Sequence, residues 1–171
     1  VTATAFFSLT GVCIKLASTS VSNEMIVFVR NLVSLLALAP WMLRDGAAGI
    51  RTKRLGGHLW RAGFGVAAMY CFFYAIAKLP LASAMLLTYS TPLYVPFIAW
   101  IWIAERPPPM VYPAALVGLI GVGFIVRPSS GFDLTAGIIG ALAGVLAAGA
   151  MVGIRRISDT EPASRIVFYF A

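Results

Sequence analysis

"LLTYSTPLYVPFIAW", residues 86–100, sets Pro92 and Pro96 four residues apart inside a long apolar run. A soluble helix rarely carries such a pair, because each proline removes a backbone donor and crowds the carbonyl one turn back. A central strand could not easily hold them either. The apolar run extends to about 81–104, and a helix of that length reaches roughly 36 Å at about 1.5 Å per residue. A bilayer core is roughly 30 Å thick, so the segment suits a bent or tilted crossing.

The rest of the chain has the same character. Of the 171 residues 60% are hydrophobic and 11% charged, whereas an ordinary soluble domain is about half apolar and a quarter charged. Apolar blocks of the length a spanning helix needs lie at about 1–17, 25–43, 59–77, 81–104, 110–126 and 134–154, and a seventh opens near 165. This pattern is that of an all-α, polytopic helical membrane protein. The first block begins at Val1 without a basic region before it, and "STSVSN" offers no convincing cleavage site, so it is expected to be a span and not a signal peptide. The chain is expected to continue beyond both ends. Cys13 and Cys71 fall within spans and read as small buried hydrophobes, not as a disulfide or a metal pair.

Charge sets the expected orientation. Arg44, Arg51, Lys53, Arg54, Arg61, Arg106, Arg155, Arg156 and Arg165 follow alternate spans, and the opposite connections carry only Lys78 and Arg127. By the positive-inside rule the N-terminus and the loops 44–58, 105–109 and 155–164 are cytoplasmic, in the cell (plasma or inner) membrane. The net charge of +7 then needs no nucleic acid partner.

The chain also repeats itself. "VCIKLASTSVSNEMIVFVR" lies without gaps over "VGIRRISDTEPASRIVFYF" at an offset of 140 residues, with Val12, Ile14, Ser18, Ile26, Val27 and Phe28 identical to Val152, Ile154, Ser158, Ile166, Val167 and Phe168. An odd number of spans separates the copies, so the second is expected to cross in the opposite direction. Inverted repeats of this kind mark secondary transporters, whose substrate sites lie where the copies meet.

Taken with "YCFFYAIAKLPLASAMLLTYSTPLYVPFIAWIWIAER" and "GLIGVGFIVRP", these segments resemble the EamA-type drug/metabolite transporter family. The features that carry the resemblance are Lys15 closing helix one, Glu24 and Arg30 at the start of helix two, the aromatic run between helices three and four, Glu105–Arg106, and the Gly-rich fifth helix. The resemblance implies ten helices in two inverted five-helix repeats, both termini cytoplasmic, and transport of small organic metabolites. About six and a half of those helices are present. On that basis residues 1–126 form the first repeat, 127–133 an extracytoplasmic connection, and 134–171 the start of the second.

The expected site residues follow from cost in hydrocarbon. Pro92 frees the carbonyl of Thr88, and Pro96 frees that of Pro92. That face of helix four should therefore meet the bundle or a wet cavity, with Thr88 and Tyr89 at hand. Arg30 lies deep, cannot shed its proton, and needs either a substrate carboxylate or phosphate or a structural partner such as Glu24. Lys15 sits nearer the outer interface, where it binds substrate or snorkels. Tyr70, Tyr74 and Lys78 share a helical stripe, with Tyr70 the deeper candidate for a substrate contact and Tyr74 nearer the interfacial belt. Gly118, Gly121, Gly123, Gly137, Gly140, Gly144 and Ala148 read as helix-packing positions. "RDGAAGIRTKRLGG" reads as a flexible loop, and "ERPPP" as a stiff turn with Glu105 pairing locally with Arg106.

No metal or cofactor is expected, and catalysis is unsupported: the one histidine, His58, is placed in a loop, and all six acidic residues lie at or beyond helix ends. The expected partners are a small organic metabolite and the lipid bilayer; a homodimer is left open. The rival readings are a membrane assembly or anchoring protein and, behind it, a membrane-embedded enzyme.

Overall fold

The computed structural model describes residues 2–104, 106–125 and 133–171. Within them the chain forms α1 (Thr2–Ala17), α2 (Asn23–Ile50), α3 (Leu55–Lys78), α4 (Leu81–Tyr89), α5 (Thr91–Ile103), α6 (Val111–Ile125), α7 (Leu134–Ile157) and α8 (Ala163–Phe170). The described residues contain no strand. Among the described residues four stretches are long and apolar enough to cross a membrane: Asn23–Pro40, Leu55–Lys78, the α4–α5 pair over Leu81–Ile103, and Leu134–Ile157. The shorter apolar helices α1 and α6 flank them. Glu105, Arg127 and all of the 127–133 connection but Asp133 lie outside the described residues.

α3 and α7 form the centre of the bundle. Ala75 and Ile76 of α3 and Ala136, Ala143, Ala148 and Val152 of α7 are fully buried. Glycines on α7 allow this closeness: a Cβ on Gly149 would lie 2.5 Å from the Phe64 ring, and one on Gly140 would lie 2.8 Å from Leu87. Gly121 and Gly123 of α6, in contrast, have open space around them and serve no such approach. Outward faces carry large apolar side chains, with Phe6 71% exposed, Ile101 83% and Phe124 70%. A water-soluble protein of this size would bury them; in a bilayer the lipid is their solvent.

The segment around Pro92 is broken, not merely kinked. α4 stops at Tyr89, Ser90 forms the joint, and α5 restarts with Pro92 in its first turn, where a missing N–H costs nothing. The freed carbonyl of Thr88 accepts the Thr91 hydroxyl at 2.6 Å, and that of Leu87 accepts the Ser90 hydroxyl at 2.5 Å. Ser90 and Thr91 are buried, so the joint faces the bundle. Its donors are Ser90 and Thr91, while Thr88 spends its own hydroxyl on the carbonyl of Ala84 at 3.2 Å and Tyr89 lies 48% exposed.

Two corrections concern the basic stretch and the cysteines. Helix α2 runs on to Ile50 and α3 begins at Leu55, so the expected flexible loop shrinks to residues 51–54. Cys13 is exposed, and Cys71 is half-buried; both are free.

The repeated segments fold alike and share the main hydrogen bonds of the turn. Ser18 N–H donates to Ile14 O at 2.8 Å, as Ser158 N–H does to Ile154 O at 2.8 Å. The Ser18 hydroxyl donates to Lys15 O at 2.8 Å, and the Ser158 hydroxyl to Arg155 O at 3.0 Å. Val21 and Glu161 close the same turn at 2.9 Å each, and Ile26 and Ile166 open the next helix at 3.2 Å each. Of the shared residues, Ile14, Ser18 and Ile26 and their counterparts Ile154, Ser158 and Ile166 take part in these bonds, at the turn between α1 and α2 and the turn between α7 and α8.

Candidate functional site

The site is built where α2, α3 and α8 meet. Arg30 of α2 donates from Nη1 to the sulfur of Met69 on α3 at 2.9 Å, a weak acceptor for a full charge. Its guanidinium stands 5.9 Å from the ring centroid of Phe170 on α8, and that of Arg61, on α3, stands 4.2 Å from the same ring. Gly65 makes the room: a Cβ there would sit 2.2 Å from Nη1 of Arg61 and 2.8 Å from the Phe170 ring. Nε and Nη1 of Arg61 are buried without a hydrogen-bond partner, as is Oδ1 of Asn31 one residue after Arg30. The two guanidiniums thus carry like charge against one ring. Stacking on one aromatic face offsets only part of their desolvation. Glu24, the structural partner considered for Arg30, forms no ion pair with it among the described residues.

The other expected site residues are dispersed. Nζ of Lys15 donates to the carbonyls of Ile76, Ala77 and Leu79 at 2.6, 3.1 and 2.9 Å, capping the C-terminal end of α3. Tyr70 is 36% exposed, and its carbonyl accepts from Asn23 at 3.2 Å. Tyr74 packs half-buried against the core, whereas Tyr89 leans on Phe7, which stacks on Phe72. Pro92 and Pro96 mark the joint between α4 and α5 and its sequel. None of these lies in the arginine cluster. In the sequence Arg61 reads only as one of the basic residues that set orientation; nothing local to it points to Arg30 or Phe170.

A second polar cluster ties the 51–54 connection and the start of α3 to the turn before α8. Glu161 accepts the Thr52 hydroxyl at 2.6 Å and the Arg165 guanidinium at 2.5 Å. His58, 1% exposed, lies 3.8 Å from the same carboxylate and 4.5 Å from the Tyr169 ring. His58 is therefore a buried residue of α3 and not a loop residue. The Thr52 and Arg165 bonds hold the Glu161 carboxyl below its ordinary value of 4.5. A lowered pKa contributes stability that is complete above pH 4.5 and is lost as the pH falls through the folded value. Thermal unfolding of the solubilised protein should thus show a loss of stability below about pH 4.5 that is smaller in Glu161→Gln. An unchanged acid slope in that variant would remove Glu161 from the account.

The described residues hold no grouping of His, Cys, Asp and Glu able to bind a metal. Fold and site together define a helical integral membrane protein with a cationic cluster where α2, α3 and α8 meet. Residues 1–127 match the model of the EamA-like transporter family, and the chain belongs to that family. It is 34% identical over 165 residues to the pseudopaline exporter CntI of Pseudomonas aeruginosa, covering 96% of this chain and 58% of that one. It is 25% identical over 151 residues to a riboflavin transporter of Brucella anthropi, covering 88% and 53%. The match to mouse solute carrier family 35 member G1 is 32% over 101 residues, covering 58% and 27%. The chain thus spans little more than half the length of the first two relatives. No solved structure matches.

Proposed function

We propose that the protein is a secondary transporter that moves small organic metabolites across the membrane by alternating access, with residues 1–126 as one five-helix repeat and 134–171 as the start of its inverted partner. The observation that carries this reading is the turn repeated with the same main hydrogen bonds, together with a cationic cluster at the contact between α2–α3 and α8. In inverted-repeat carriers the substrate lies between the copies, and access alternates as one copy rocks against the other. By its basic residues, the end of the bundle holding Thr52, Glu161 and Ile157 is cytoplasmic. Relatives named as transporters support a role other than catalysis.

The test uses the complete chain reconstituted in liposomes, with uptake of labelled amino acids, carboxylates and amines followed with and without a pH gradient. Gly57 of α3 and Ile157 of α7 supply a lock, because a Cβ on Gly57 would lie 3.9 Å from that of Ile157, within the span of a disulfide. In Gly57→Cys/Ile157→Cys, with Cys13 and Cys71 replaced, oxidation should reduce flux to background and reductant should restore it. Full flux through a cross-linked protein would reject rocking between these segments. Folded protein that carries no compound would favour the anchoring reading.

A further inference from the structure

We propose that Arg30 and Arg61 together form the binding site for the anionic group of the transported solute, a carboxylate or phosphate on an organic body. This rests on the carrier reading and deepens it by naming a substrate class. Two guanidiniums share the Phe170 ring, at 5.9 and 4.2 Å from its centroid. Among the described residues neither has a carboxylate partner, Arg30 has only a thioether sulfur, and two nitrogens of Arg61 have no acceptor.

Buried polar groups are nearly always satisfied, and those that are not point to a role. Among the described residues no Asp or Glu fills this place, as it would in a structural ion pair. The described acids are committed or remote: Asp133 caps α7, Glu161 is held by Thr52 and Arg165, and Glu24 and Asp159 are exposed. An oxyanion placed between the two arginines would accept two or more charge-assisted N–H bonds in the forked geometry that guanidinium favours. It would also relieve the repulsion between them. Met69 and Phe170 supply an apolar wall for the organic body. Arg30 is exposed, while Arg61 is partly covered by Phe170.

Binding is measured on the complete chain in detergent by thermal unfolding. The probes are benzoate and phenyl phosphate, with neutral benzamide and benzyl alcohol as controls, all at matched ionic strength. A saturable rise in the unfolding temperature with either anion and none with the neutral compounds is expected, and the better anion identifies the group. Arg30→Gln and Arg61→Gln should each raise the half-saturating concentration about tenfold or more, with Arg30→Lys in between. Equal shifts with neutral compounds, no shift with either anion, or variants that bind as wild type does would overturn the proposal. The comparison of anion with neutral compound needs no variant, so a misfolded mutant does not blunt it. Flux without anion binding retires this site and leaves the carrier, whereas anion binding without flux in liposomes supports the site and retires the carrier.

Discussion

Lys15→Met is expected to destabilise the protein by about 2–4 kcal/mol while leaving any affinity for anions unchanged. Methionine keeps the unbranched stem and its packing but removes an ammonium that donates to three carbonyls, those of Ile76, Ala77 and Leu79. These are the last acceptors of α3, where intrahelical donors have run out and the helix dipole presents its negative end. A charge-assisted bond contributes more than a neutral one, and the bonds to Ile76 and Leu79 are part-buried, so their carbonyls lose a donor that water only partly replaces. The discount from three full bonds reflects the partial exposure of Lys15. Denaturation of the solubilised protein reads the loss, and Lys15→Arg should recover part of it. Full stability with abolished benzoate binding would return Lys15 to the list of substrate contacts and sink the capping role.

Lys15 also shows which parts of the molecule its sequence makes plain. Span positions follow from hydropathy because the bilayer demands length and apolarity in each crossing. The expected 134–154 becomes Leu134–Ile157, and 110–126 becomes Val111–Ile125. Charge placement is harder, because an isolated lysine or arginine is legible only as a cost. Nothing in the local sequence says that Lys15 reaches the end of α3, 61 residues away at Ile76. By sequence His58 reads as a loop residue beside two glycines and Arg61 as one more cytoplasmic charge, yet packing against α7 and α8 continues α3 downward and buries His58. Tertiary contact overrode weak local preference there. The role of the Thr91 hydroxyl at the proline break is equally illegible in the sequence, for a related reason. Proline announces a freed carbonyl, but which neighbouring hydroxyl turns inward depends on where the helix restarts.

The restart depends on α7, and Gly144 is its most sensitive point. A Cβ on Gly144 would lie 2.9 Å from the backbone oxygen of Leu87, 3.1 Å from Oγ of Ser90 and 3.3 Å from the Tyr94 ring. The first of these is main chain and cannot swing aside. That oxygen also accepts the Ser90 hydroxyl at 2.5 Å, so moving it strains the bond that satisfies the joint. Gly144→Ala is therefore expected to cost about 1–3 kcal/mol by overpacking, and Gly144→Leu to prevent assembly of α4, α5 and α7. Gly140→Ala should cost less, because its nearest neighbour is Cδ1 of Leu87, the end of a flexible side chain. Gly121→Ala has open space and should be nearly neutral. Thermal unfolding of the three alanine variants in one detergent gives the ranking. If Gly144→Ala were as stable as Gly121→Ala, α7 would not be pressed on the broken helix, and the fixed joint at Ser90 would have to be explained by α4 and α5 alone.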